Sequence, residues 1–224
     1  MQLFQNLVLV GTSHVARQSV TEVESVILRE KPSVVALELD KARFIGLMKK
    51  EKSKINLGAI RTIGFKGYVF AKVGEFAERK LGSVVGVSPG EEMLKAADVG
   101  SKLGCKIALV DQKIEITLKN FSKEITWKEK FRFIFDIFSG MFSKKKRIQF
   151  DLSKVPNEEL VEKLLEHVKI RYPNFYKVLV EDRNKYMARK LFILMKEYDK
   201  IVAVVGAGHE KEIIEGIKKL IRAN

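Results

Sequence analysis

Hydrophobic positions along the chain fall into two kinds of run. Short, continuously apolar runs occupy Leu7–Val10, the stretch 33–40 built on Val34, Val35, Ala36 and Leu37, the stretch 105–111 built on Ile107–Val110, and Ile201–Val205. Four or five such residues without a polar face read as strands covered on both sides, in the interior of a sheet. Longer stretches repeat their apolar residues every three to four positions and read as helices. These are 17–30 (Val20, Val23, Val26, Ile27), 44–54, 68–80, 91–103, 127–142, 158–169, 174–198 and 210–222. Breakers stand between them: Lys31-Pro32 after the first helix, Gly104 after the helix at 91–103, and Tyr172-Pro173 before the longest one. Thr12 and Ser13 can cap the helix at 17–30, while 55–67, with three glycines, and 84–90 read as loop.

Strand, helix and strand over 7–40 make a β-α-β unit, whose right-handed crossover sets the first two long strands parallel with their C-terminal ends side by side. The fold class expected is therefore α/β (α+β): a central mixed sheet with parallel β-α-β units flanked by helices, plus a helical insertion. The 224 residues suit one domain over 1–224, with a core of 1–114 and 199–224 and the insertion at about 115–198. At 46% hydrophobic the chain can bury a core without covalent staples.

Composition narrows the chemistry. One cysteine, Cys105, excludes an internal disulfide and a multi-cysteine zinc site, and its apolar surroundings read as small-hydrophobe packing. The net charge is +14, concentrated in Lys49–Lys54, Lys144–Arg147 and the last helix. No stretch interleaves aromatic and basic residues in a nucleic-acid-binding pattern, so no specific nucleic-acid partner is expected, and the excess reads as a solvated basic surface. Phe131, Ile134, Phe135 and Phe138 recur at helical spacing, which points to core or homodimer packing ahead of membrane contact. Neither a signal peptide nor a run of about 18 apolar residues is present. A cytoplasmic location follows, with membrane association left to a segment beyond residue 224, after the uncapped basic helix Lys211–Arg222.

Two of the three histidines share one context, an apolar strand followed by Gly-x-x-His: Gly11 to His14 and Gly206 to His209. His167 lies in a charged helical stretch and reads as a surface residue. Glu38 stands near the end of an otherwise apolar strand, so it must be paired or bind something. Asp40, Arg43 and Asp111 follow at or near strand ends, the edge where open α/β sheets place ligands. Two imidazoles and a carboxylate form a usual ligand set for a divalent transition ion, and a further carboxylate can take a proton from its water. The glycines let the backbone turn sharply and a substrate approach, and helix N-termini after both turns favour an anionic group. The residues alone also support a plainer account, with Glu38 in a buried ion pair with Arg43 or Arg183 and Asp111 as a helix cap.

Six segments in order resemble the TraB/PrgY family: Gly11–Val20, Pro32–Arg43, Pro89–Met93, Leu109–Asp111 with Ile116–Leu118, Asp182–Ala188, and Val204–His209. That family includes the pheromone-shutdown proteins and is related to the Tiki metalloproteases and, more distantly, to erythromycin esterase-like and ChaN-like proteins. The resemblance covers nearly the whole chain. It implies a mixed α/β domain and a metal-dependent hydrolase, a peptidase acting on short peptides with a divalent ion, Mn or Co ahead of Zn. It implies metal ligands at His14, His209 and Glu38, with Glu38 as ligand or general base, and catalytic roles for Glu38, Arg43 and Arg183. Arg43, Asp111 and Arg183 would hold the peptide substrate. Many prokaryotic relatives carry membrane helices after this domain. The chain departs from the family at Gln112, where an arginine commonly follows the aspartate, and at Asn120, where a basic residue is common; the first departure weakens Asp111 as a substrate residue. Two rival functions are a non-catalytic peptide-binding or sequestering module and a membrane-surface interaction domain.

Overall fold

The last strand of the chain is the middle strand of the sheet. In the computed structural model, which describes residues 1–12, 17–49, 90–142 and 158–223, the sheet contains β1 (Gln2–Phe4), β2 (Leu7–Thr12), β3 (Val34–Leu37), β4 (Lys106–Leu109) and β5 (Ile201–Gly206). Its order is β1-β2-β5-β3-β4, antiparallel only at β1–β2. The α/β expectation therefore holds, with one correction. Strands β2 and β3 are parallel but not side by side, because β5 lies between them, pairing Leu7 with Ile201 on one side and Val34 with Ile201 on the other. All six β5 residues are buried, as a strand apolar on both faces requires.

The helices are α1 (Arg17–Glu30), α2 (Lys41–Met48), α3 (Glu91–Lys102), α4 (Ile114–Glu124), α5 (Trp127–Phe142), α6 (Glu158–Arg171), the short α7 (Pro173–Tyr176), α8 (Asp182–Glu197) and α9 (Glu210–Arg222). Strand side chains alternate between faces, which splits the core into two layers. Leu7, Leu9, Val34, Ala36, Ala203 and Val205 pack with Met187, Ala188 and Leu191 of α8 and Ile213, Ile214 and Ile217 of α9. Val8, Val10, Val35, Leu37, Val202 and Val204 pack with Val23, Val26 and Ile27 of α1 and Met93, Ala96 and Val99 of α3. Each large side chain so buried contributes on the order of 1.5–3 kcal/mol. Helix α8 thus supplies a core layer, although it lies within the stretch assigned from sequence to the insertion. Asn6, in the turn of the β1–β2 hairpin, donates to the carbonyls of Met195 (2.9 Å) and Tyr198 (2.7 Å), tying that hairpin to the end of α8.

Several local expectations change. Among the described residues strand β4 is the last strand of the sheet, with Lys106 exposed and the other three residues half-buried, not the fully covered strand its apolar run suggested. Thr12 lies in β2 and its hydroxyl donates to Val205 O at 3.2 Å, while Ser13, the other expected cap of α1, lies outside the described residues. Cys105 is half-buried, with its Sγ 3.0 Å from Pro32 O, and burial pushes the thiol pKa up. Gly104 stops α3 as expected, at φ +75°. His167 is exposed, as expected.

On helix α5 the aromatic stripe is not core of this chain, which leaves the packing against a second copy as the form of the expectation that still applies to it. Trp127, Phe131 and Phe135, one stripe at four-residue spacing, are 61, 67 and 69% exposed. Among its described side chains, two of those facing inward are carboxylates. Glu129 accepts hydrogen bonds from the Asn174 backbone at 2.9 Å and side chain at 2.8 Å. Asp136 receives two bonds of 2.5 Å from Arg171 and one from the Tyr172 hydroxyl. Between them Phe133 joins a small cluster with Phe121, Ile125, Phe175 and Val178. These polar pairings turn the described inward residues toward α6 and α7 and leave Trp127, Phe131 and Phe135 outside. The side chains of Ile134 and Phe138 lie outside the described residues, as do the helix expected at 68–80, the loops at 55–67 and 84–89, most of the basic run Lys49–Lys54, and Lys144–Arg147. Among the described residues no helix is long and apolar enough to cross a membrane.

Candidate functional site

Strands β2, β5 and β3 end together, and the first residue beyond β3 is Glu38. Its backbone N–H continues the ladder to Val204 O (3.0 Å), which turns its side chain toward the end of β5. Oε2 accepts from the Gly206 N–H at 2.6 Å, while Oε1 accepts from Arg183 Nη2 and lies 3.3 Å from His209 Nε2. Arg183 also donates through Nε and Nη2 to the two oxygens of Asp111, at 3.0 and 2.8 Å. Arg43 reaches the same carboxylate at 3.0 Å. Glu38, Arg43, Asp111, Arg183 and His209, scattered over 172 positions, thus form one cluster.

Charge balance explains how the cluster tolerates burial. The carboxylates of Glu38 and Asp111 are both 2% exposed, and buried ions need partners. Arg183, 17% exposed, serves both. Burial opposes its charge, but Glu38 and Asp111 outweigh that effect and hold its pKa above the ordinary arginine value. Arg43, at 38%, is the member that reaches solvent. Arg183 reaches its place through a π-helical turn, Lys177–Glu181, between α7 and α8. A π turn carries one more residue per hydrogen-bonded ring than an α turn, and this changes the direction in which the following residues point.

Two residues that the sequence grouped with the site play other parts. Asp40 is a double cap: Oδ1 accepts from the N–H groups of Ala42 (2.7 Å) and Arg43 (3.0 Å) at the start of α2, and Oδ2 from Ile114 N–H (3.1 Å) at the start of α4. Gly11 does not make a turn. It lies inside β2, and a Cβ there would come 2.2 Å from Glu210 Oε2, so its role is to let the Glu210 carboxylate lie against the strand. Gln112, which stands where relatives of the resembled family commonly have arginine, donates to Thr117 Oγ1 at 2.9 Å in a buried pair.

A second branch leaves the cluster from His209. Its Nδ1 lies 2.5 Å from Asn184 Oδ1, Asn184 Nδ2 donates to Glu212 Oε2 at 2.7 Å, and the Tyr176 hydroxyl donates to Glu212 Oε1. Burial first, and the bond to Glu212 second, push the Tyr176 pKa well up. Sequence reading missed Tyr176 and Glu212, and Asn184 entered it only as a letter of the segment 182–188. The adjacency of Asn184 to Arg183 and the three-residue step from His209 to Glu212 were visible in principle; nothing local pointed to Tyr176. Tyr176 and Glu212 also line an open cleft of about 720 Å³ with Ala207, Gly208, Val161 and Leu165, whereas Glu38, Arg183 and His209 are not among its lining residues.

His14 lies outside the described residues. Among those described, no group of three or more His, Cys, Asp or Glu side chains is placed to hold a metal. Glu38 Oε1 and His209 Nε2 do fit two positions around one ion. Ligand atoms each ~2 Å from a metal stand roughly 3–3.5 Å apart in a tetrahedral shell, and this pair is at 3.3 Å.

A sequence model of the TraB/PrgY/gumN family matches residues 4–223. An uncharacterized protein of Methanocaldococcus jannaschii is 35% identical over 225 residues, covering 98% of this chain and 55% of that protein. TraB domain-containing proteins of Homo sapiens and Mus musculus are 24 and 23% identical over 240 residues, covering 94% of this chain and 61% of each. The chain therefore spans little more than half the length of the curated relatives it matches.

Proposed function

The chain belongs to the TraB/PrgY/gumN family, and on that premise we propose that it is a metal-dependent hydrolase domain that cleaves short peptides. The observation that carries the proposal is the meeting of Glu38 Oε1 and His209 Nε2 at 3.3 Å, at the end of the central strands and backed by two arginines. His209 and Glu38, with His14, would hold a divalent ion, Mn or Co ahead of Zn, which supplies Lewis acidity and an activated water. Glu38 acts as ligand or general base. Arg183, bonded to both carboxylates, positions Glu38 and Asp111. Arg43, the exposed member, is the arm for a substrate carboxylate, with Asp111 fixing its guanidinium.

The test is peptide cleavage by purified protein loaded in turn with Mn, Co and Zn, for wild type, His14→Ala and His209→Ala. Turnover with Mn or Co that both variants lose supports the reading; no turnover with any of the three metals in wild type rejects it. One observation favours a second reading. The Glu38 carboxylate is already engaged by Arg183, by the Gly206 N–H and by the His209 ring, an arrangement that also suits a non-catalytic peptide-binding module. Tight peptide binding without turnover would select that one.

A further inference from the structure

We propose that the outward face of α5 is a docking surface for an anionic lipid bilayer, with Trp127, Phe131 and Phe135 seated at the headgroup boundary. The proposal makes no use of the hydrolase reading, and either can fail alone.

The three aromatic side chains are 61, 67 and 69% exposed. The Trp127 and Phe131 rings stack with centroids 6.0 Å apart, which joins them into one apolar surface. Charge is sorted around the helix. Its two carboxylates are engaged on the inward side, Glu129 by Asn174 and Asp136 by Arg171 and Tyr172. Helical spacing places Lys128 on one side of the stripe and Lys130 on the other. Lys128 is exposed, and Lys130 is half-buried with its Nζ 5.1 Å from the centre of the Trp127 ring. Lys119 and Lys123 of α4, the preceding helix, are exposed too, while Glu124 is paired with Lys177. The outward side of α5 thus combines aromatic rings with positive charge, and both acids of the helix are used elsewhere.

Three kinds of occupant could cover such a face. A second copy related by a two-fold axis would bring the same lysines against these, setting like charges along the rims of the helix pair. The described stripe also offers roughly half of the ~800 Å² per partner that a standard interface takes, at about 150–250 Å² per aromatic side chain. A helical segment of another protein is commonly held in a groove. The open cleft takes no lining residue from α5, and rings this exposed form a ridge. A bilayer needs no groove. A helix with Trp and Phe on one face and lysines beside them lies in the plane of the interface, with the rings at the boundary between headgroups and acyl chains. Anionic headgroups attract the lysines, and the net charge of +14 acts in the same direction.

Trp127 is the only tryptophan of the chain, so intrinsic tryptophan fluorescence reads this face directly. The probes are vesicles of phosphatidylcholine alone and of phosphatidylcholine with about 30% phosphatidylglycerol. The purified chain should sediment with the anionic vesicles and not with the neutral ones. Its emission should shift to the blue on binding, and both effects should weaken as salt rises. Phe131→Ser and Phe135→Ser should each lower the affinity roughly tenfold, and Lys128→Glu combined with Lys130→Glu should abolish binding. Both phenylalanines are exposed, so these variants keep the fold, which circular dichroism checks. Sedimentation with neither kind of vesicle overturns the proposal and returns the face to a protein partner. Binding without a change in emission also overturns it, since charge alone would then hold the protein. A blue shift that appears without lipid and grows with protein concentration assigns the face to a second copy, and overturns it as well.

Discussion

Arg183 grips Asp111 through two nitrogens, Nε to Oδ1 at 3.0 Å and Nη2 to Oδ2 at 2.8 Å. This parallel pair, made by residues 72 positions apart, joins the long helix α8 to the end of the sheet. The same Nη2 also reaches Glu38, so one guanidinium compensates two buried carboxylates.

Arg183→Ala is therefore expected to cost roughly 3–5 kcal/mol, the penalty for leaving buried charge without its partner. Arg183→Lys should recover little, since an ammonium cannot make the two-pronged contact and reach Glu38 as well. Denaturant unfolding of the two variants checks both statements, and a lysine variant as stable as wild type would contradict the bidentate argument.

Arg43→Ala should behave differently. Its side chain is more than a third exposed, and an ion pair of that kind is worth less than about 1 kcal/mol. The expected outcome is nearly unchanged stability. If the hydrolase reading holds, KM rises for peptides with a free C-terminal carboxylate and is little changed for their amidated forms. Equal effects on both forms would remove Arg43 as the carboxylate anchor.

Gly11→Ala tests the contact between β2 and the first turn of α9. The added methyl would meet the Glu210 carboxylate at 2.2 Å and the Ala207 Cα at 3.1 Å. Overpacking of this sort costs about 1–3 kcal/mol. Adding Glu210→Ala should return much of the loss, and a double-mutant cycle on unfolding free energies measures the coupling. Additive effects would mean that the Glu210 carboxylate does not depend on this glycine.

Asp136 sets a pH window for the joint between α5 and α6. The hydrogen bonds from Arg171, first, and Tyr172 lower its pKa from 3.8 to about 2. A carboxyl depressed in the folded state contributes stability above its unfolded pKa and loses it as pH falls through the folded one. The contribution is therefore complete above pH 3.8 and fades toward pH 2. Asp136→Asn should lower Tm at neutral pH, with the gap to wild type closing over that interval; a gap independent of pH would show that charge is not what the joint uses.

Much of the architecture can be read from periodicity because burial on one face or both leaves a local imprint. Helices at 17–30, 127–142 and 210–222 have the limits that apolar spacing and breakers indicate. Glu38 announces itself as a charge in an apolar run, and the ion pair with Arg183 was one of its two sequence readings. The partial burial of β4 was not legible, since an apolar run looks alike in a fully and a partly covered strand. In helix α5 the choice between core and partner-facing packing was not legible either: Trp127, Phe131 and Phe135 are exposed, and the Glu129 and Asp136 pairings involve residues more than 30 positions away.

What the sequence determined by itself is the four long strands, most of the described helices, the family, and the placing of Glu38, Asp111 and His209 at or near strand ends. Those follow from nearest-neighbour patterns, each written within a few residues of chain. Tertiary structure alone decided that β5 enters between β2 and β3, that a π turn aims Arg183 at two carboxylates, and that Tyr176, Glu212 and Asn184 stand behind His209. Those are contacts between distant segments, settled by how whole layers pack and by which buried polar groups must find a partner, and no local window of the chain contains them.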